Sequence, residues 1–281
     1  MTPTDHTPGQ RPPRRRLALI TGASSGIGRE LAHAAAADGF DTVLVARREG
    51  ALQELRGELS AAFGGEHHVI VVDLLSPGAV GTLVDELRRG GLEPHVLVNN
   101  AGIGSFGEFH HTDRERQLAI VRLNVDVLVD LTHALLPGIV TRGWGRVLNV
   151  ASTAAFQPGP FMASYYASKA FVLSFSEALH EELRGTGTAV TALCPGPVNT
   201  EFQHVAGLGE SRLAHWFARK GARGVALAGW GGCMAGRAVV IPGALNKFHA
   251  AVVRLIPRAA MRRIIRAVQQ RTKRPGSGVV R

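Results

Sequence analysis

Tyr165 and Lys169 stand four residues apart, a spacing that on a helix puts both side chains on one face, one turn from each other. A free tyrosine loses its proton near 10, so bringing it towards 7 takes about 4 kcal/mol of preferential phenolate stabilisation, at ~1.4 kcal/mol per unit. An ammonium one turn away acts in that direction. Such a phenol can give a proton to a carbonyl oxygen, or take one back from an alcohol. Ser152 closes an apolar run ending at Val150-Ala151, and its hydroxyl could bond the same oxygen and steady developing alkoxide charge. Tyr166 also lies within reach of Lys169, but an aromatic on a helix face reads first as packing.

A second group of residues suits phosphate. Thr21 to Gly28 reads TGASSGIG, directly after an apolar run and at the head of an amphipathic stretch. Gly22 permits a tight exit from a strand, Gly26 lets backbone approach a pyrophosphate, and Gly28 lets helix and strand pack closely, with Ser24, Ser25 and Ile27 completing the turn. A helix N-terminus there offers free N–H groups and the positive end of its dipole. The spacing, G-x-x-x-G-x-G, departs from the commoner G-x-G-x-x-G, and such a turn can be merely structural. The next apolar run ends Val45-Ala46-Arg47-Arg48, with Ala46 where a carboxylate would otherwise meet ribose hydroxyls. Arg47 and Arg48 suit a 2′-phosphate, since a guanidinium binds it bidentately and can stack on adenine, although they could also only solvate the start of the next helix. NADP(H) is therefore expected over NAD(H).

Elements must position these groups. Short apolar runs at residues 17–20, 42–46, 69–72, 96–98, 147–150, 189–193 and 238–241 read as strands buried on both faces. Candidate helices lie between them at 26–38, 49–62, 77–90, 113–136, 162–184 and 222–235. The alternation predicts an α/β, Rossmann-like, doubly wound parallel sheet with helices on both faces. The expected organisation is a disordered basic arm over 1–16, a dinucleotide-binding catalytic domain over 17–243, and a basic amphipathic helical tail over 244–281.

From residue 17 to about 241 the chain resembles the short-chain dehydrogenase/reductase family. The likeness rests on TGASSGIG, Asp73-Leu74, NNAG at 99–102, Asn124, Ser152, YYASK at 165–169 and PGPVNT at 195–200. The resemblance implies a seven-stranded sheet of order 3-2-1-4-5-6-7 and a catalytic tetrad of Asn124, Ser152, Tyr165 and Lys169, its spacing selecting Tyr165 over Tyr166. It also implies that Asn124 holds a helix irregularity whose backbone binds a water in contact with Lys169. Asp73 and Leu74 would meet adenine, Asn100, Ala101 and Gly102 would border its ribose, and Pro195, Gly196, Val198 and Thr200 would close over the nicotinamide. Substrate choice would fall to residues 201–220, where Phe202, Leu208, Leu213, Trp216 and Phe217 suggest an apolar lid and a bulky or lipophilic carbonyl compound. VVIPGALNK at 239–247 resembles a bacterial subgroup with a helical C-terminal extension, and a homo-oligomer is the family expectation.

Charge at first suggests a different partner. The chain of 281 residues carries a formal net charge of +10, which would raise nucleic acid or an anionic membrane. Residues 1–16 hold +3 of it and 247–281 hold +10, leaving the body at −3, and no nucleic-acid-binding motif is present. In the tail Phe248, Val252 and Leu255, then Met261, Ile264, Ile265 and Val268, recur at helical spacing, opposite Arg258, Arg262, Arg263 and Arg266. Such a helix docks on the body, on a subunit or on a membrane surface, and docking on protein is the favoured expectation over peripheral membrane contact. Cys194 and Cys233 fit a reduced, cytoplasmic setting, and no spanning helix is expected. His67-His68 and His110-His111 lack metal-ligand companions, so no metal is expected. The leading expectation is a carbonyl reductase or secondary-alcohol dehydrogenase, and the alternative is a dinucleotide sensor without turnover.

Overall fold

The computed structural model describes residues 16–198, 201, 221–253 and 255–269. The basic arm over 1–15, Thr200, the apolar residues between 202 and 217 and the chain beyond 269 lie outside them.

Seven parallel strands form one sheet: β1 Leu17–Thr21, β2 Asp41–Ala46, β3 His67–Val71, β4 Val96–Asn99, β5 Gly145–Val150, β6 Thr188–Leu193 and β7 Val239–Val240. Their order is β3-β2-β1-β4-β5-β6-β7, as the resemblance implied. The order reverses between β1 and β4, and ligands of open α/β sheets bind at the carboxyl ends of the strands at such a reversal. β3 begins at His67 rather than Val69, because Thr42 Oγ1 and His67 Nδ1 hydrogen-bond at 2.9 Å across the β2–β3 pair. β7 is only two residues long, with Val240 buried and Ile241 already outside the ladder.

On one face lie α1 Gly26–Ala37, α2 Glu49–Phe63 and α7 Ala222–Met234, packed with Ile20, Leu44 and Val98. α7 meets the sheet closely because Gly229 and Gly232 face Leu193 and Val240, where a Cβ would sit 2.6 and 2.3 Å from their side chains. The other face is covered by α3 Ala79–Arg89, α4 Arg114–Val121, α5 Val127–Thr141 and α6 Ala163–Glu182. α5 runs through Pro137, past the residue at which a proline should stop it. Ile139, two residues on, is fully buried directly over Gly145 of β5, and that packing offsets the hydrogen bond the proline forfeits.

Between α4 and α5 the chain makes a π-helical turn at Arg122–Asp126. The helical run Arg114–Thr141 contains a stretch apolar and long enough to cross a membrane by composition, which the sequence had not suggested. Here Leu128, Leu131 and Ile139 are buried within the fold, and the same run carries Asn124 inward.

Two helices follow the sheet, α8 Ala244–Val253 and α9 Arg258–Gln269. α9 rests on the body through Met261 and Ile265, which cluster with Val253 and Phe156, while Arg258, Arg262, Arg263 and Arg266 are exposed. α8 is turned from the expected face: Ala250 and Val253 are buried, whereas Phe248 is 67% and Leu255 84% exposed. Phe248 and Val252 line an open cavity instead of the core, and Leu255 falls after the helix has ended.

Candidate active site

A single cavity of about 1490 Å³ opens along the carboxyl ends of the strands, from the glycine turn to α9. Among the described residues, every position expected to hold cofactor or do chemistry lines it, apart from Gly28 and Asn124. Gly28 lies beneath the turn, where a Cβ would come 2.3 Å from the Gly22 carbonyl oxygen, so it serves close packing rather than ligand contact. Asn124 is buried behind the wall, on the π turn. Its Oδ1 accepts from the Ile103 N–H at 2.9 Å, and its Nδ2 donates to the Ile103 carbonyl and to Ser168 Oγ, each at 3.0 Å. Asn124 thus fixes the strand exit beside Gly102 and the back of α6, and acts through the backbone.

At the reacting end, Ser152 follows β5 and caps a short 3₁₀ turn, Thr153–Phe156, accepting from the Ala154 N–H at 3.1 Å. Its hydroxyl also hydrogen-bonds the Tyr165 side chain. Lys169 is buried one turn along α6, donating 2.7 Å to the Val150 carbonyl, with Nζ 5.9 Å from the Tyr165 ring centroid. Burial pushes the Tyr165 phenol up to about 12 against the Ser152 hydrogen bond, and pushes Lys169 down to about 8. The lowering of the tyrosine expected from its lysine is therefore absent in the chain alone. Desolvation outweighs the Ser152 hydrogen bond, and the Lys169 ammonium is held by the Val150 carbonyl.

At the other end, Thr21 and Asn100 tie β1 to β4. Asn100 Nδ2 donates to the carbonyls of Thr21 and Gly22 at 2.9 and 3.2 Å, and Thr21 Oγ1 accepts from the Asn100 and Ala101 N–H groups. Gly22 and Gly26 both take positive φ, 66° and 55°, which a side chain would resist. Ser25 precedes α1 with no side-chain cap on the helix N–H groups. Arg48 donates to Ser24 Oγ at 3.2 Å and to both carboxylate oxygens of Glu201, at 3.2 and 2.8 Å, and Glu201 also bonds the Ser25 side chain. Arg48 and Ser25 hold the Glu201 carboxyl below its usual range. A protein carboxylate thus rests on a serine and a guanidinium at the head of α1, so this cradle accepts a bidentate anion. Arg47 lies 3.8 Å from Asp73, whose Oδ1 takes the Leu75 N–H.

Sequence reasoning passed over three contributions. Glu201 gave no signal before its contact with Arg48 was known. Asn99, Asn149, Thr132 and Ser176 form a buried ladder of 2.9 Å hydrogen bonds beneath the site. The cavity wall also includes Gln157, Met162, Phe248, His249 and Gln269, residues with no motif. Phe161, the one described non-glycine residue at positive φ (67°), accepts the Gly107 N–H and packs on Phe106, which lines the cavity. Cys194 is fully buried with its thiol pushed up to about 12, as befits a small hydrophobe. Glu108, His110 and His111 gather with ligand atoms within 4.8 Å, all exposed.

Residues 16–211 match the family model described as short chain dehydrogenase. The chain belongs to the short chain dehydrogenase family. It is 41% identical over 186 residues to sulfoacetaldehyde reductase from Chromohalobacter salexigens, covering 66% of this chain and 73% of that protein. Among solved structures, a short-chain dehydrogenase from Sphingobium yanoikuyae in complex with NADPH superposes with a TM-score of 0.76 at 29% identity, over 92% of this chain and 99% of the other. A family member from Burkholderia phymatum in complex with NAD gives the same TM-score at 26% identity, over 94% and 98%. The chain is an oxidoreductase of this family, whose members bind either dinucleotide.

Proposed function

We propose that this short chain dehydrogenase is an NADP(H)-dependent reductase of ketones, running in reverse as a secondary-alcohol dehydrogenase, with Tyr165 as its proton donor. The observation that carries the reading is the convergence of Ser152, Tyr165 and Lys169 at one end of a cavity whose other end holds an anion on Arg48 and Ser25.

The residues present fit a phosphorylated dinucleotide. Arg48 and Ser24 suit the 2′-phosphate, Arg47 the adenine face, Ser25 and the N–H groups of α1 the pyrophosphate, and Gly102, Pro195 and Val198 the sugar and nicotinamide. Glu201 would yield its place on Arg48 and Ser25 to these phosphates. Bound NADP(H) supplies the hydride or takes it up. Ser152 then bonds the substrate oxygen, and Tyr165, protonated at neutral pH, delivers its proton to the oxygen as that charge grows. Lys169 favours the phenolate left behind, and Asn124 keeps the π turn and residues 102–103 in register. A homo-oligomer, with the exposed Val121 and Phe171 at its contact, belongs to the same reading.

Tyr165→Phe removes the proton donor and leaves the cofactor cradle intact. Its kcat should fall at least a thousandfold, roughly the scale of a lost general acid, with NADPH binding kept in a fluorescence titration. Tyr166→Phe should retain turnover. The opposite ranking of the two variants overturns the assignment.

A further inference from the structure

Away from Arg47 and Arg48 the cavity wall includes the apolar Phe106, Met162, Val252 and Ile265, yet three polar side chains meet inside it. Gln269, the last residue of α9, is 4% exposed and its Nε2 donates 2.5 Å to the Tyr166 oxygen. Gln157, from the loop after Ser152, hydrogen-bonds the same tyrosine. The Oε1 atoms of both glutamines are buried with no partner among the described residues. Leaving a buried acceptor unmade costs more than a hydrogen bond gains, and one wall carries two such acceptors. Packing alone would be served as well by leucine or methionine at both positions.

We propose that Gln157, Tyr166 and Gln269 form a hydroxyl-reading end of the substrate cavity, so that the substrate is a largely apolar ketone with a second hydroxyl remote from the reacting carbonyl. The proposal rests on the ketone-reductase reading above. A hydroxyl donates to a leftover carbonyl oxygen while accepting from the Tyr166 O–H, so it satisfies the site from both sides. A cationic amine finds no counter-charge, because the acids lining the cavity among the described residues are Asp73 and Glu201, both at the arginine end. The rings of Tyr165 and Tyr166 stand edge to face with centroids 6.1 Å apart, so the second hydroxyl would be read beside the reacting end of the same cavity. Tyr166 keeps its position because its ring lies on Gly159, where a Cβ would be 2.1 Å from it. Gln269 makes α9 part of the specificity wall, not only a cover.

The test compares matched ketones in the full chain with NADPH: benzylacetone against its para-hydroxy form, raspberry ketone, and phenylcyclohexanone against the hydroxyphenyl compound. The wild type should prefer the hydroxylated member of each pair by about tenfold or more in kcat/KM, a preference residing mainly in KM. In Gln269→Met and, separately, Gln157→Met, that ratio should fall towards one. The two residues sit on different segments, so a loosened α9 in the first variant leaves the second as an independent reading. Equal kcat/KM within both pairs for the wild type, or a ratio unchanged in both variants, overturns the proposal. Turnover of neither pair overturns the reductase reading with it.

Discussion

At the residue scale, the proposed function needs ionisable groups that move protons and others that hold phosphate. Tyr165 keeps its proton to about 12 in the chain alone, which suits donation to a ketone at neutral pH. Lys169, lowered from 10.5 to about 8 by burial, is the group whose charge disappears first on raising the pH. The reduction kcat/KM should therefore be level below about 8 and decline above it, as the ammonium that supports the phenolate is lost. A profile flat to 10 would exclude Lys169 from that role. Linkage has the matching sign: the folded state binds fewer protons at Lys169 between about 8 and 10.5, so its contribution to stability rises with pH across that window. At the phosphate end, Arg48→Ala should weaken NADPH binding by about tenfold to a hundredfold, the scale of a lost charge-assisted contact, and leave NADH nearly unaffected. Equal losses for both cofactors would place Arg48 outside the 2′-phosphate site.

At the element scale, the sheet was readable because both faces of each strand are covered, so the strands appear as continuous apolar runs. Their order came through the family motifs, as did the expectation that Tyr165 is the residue that reacts. What the pattern hid was set by contacts distant in sequence. His67 joins β3 through a side-chain bond to Thr42, α5 survives Pro137 because Ile139 packs on Gly145, and α8 turns Phe248 towards a cavity rather than a core. Periodicity marks which residues are apolar, and it is silent on whether the apolar face meets protein or a ligand. The glycine turn was read as a phosphate site, and Gly28, read there as the residue that lets helix and strand pack closely, meets the Gly22 carbonyl. Gly28→Ala should cost ~1–3 kcal/mol of stability through overpacking, read as a lower denaturant midpoint with unchanged m-value. An unaffected midpoint would mean that α1 can shift away from β1 without penalty.

At the scale of the whole molecule, one cavity joins features that lie far apart in the chain. Ser24 and Ser25, Tyr165 and Gln269 share its wall, and the C-terminal helices complete it. The excess positive charge lies at the two ends of the sequence, and α9 carries its share as arginines turned outward while Met261 and Ile265 face the body. The central claim is that this cavity passes hydride between NADP(H) and a carbonyl carbon. The most direct measurement follows NADPH oxidation and alcohol formation together across a panel of aryl and alicyclic ketones, repeated with NADH. Stoichiometric alcohol production, faster with NADPH at limiting cofactor, is the predicted result. Tight NADPH binding with no alcohol from any ketone would contradict it and make the protein a dinucleotide sensor.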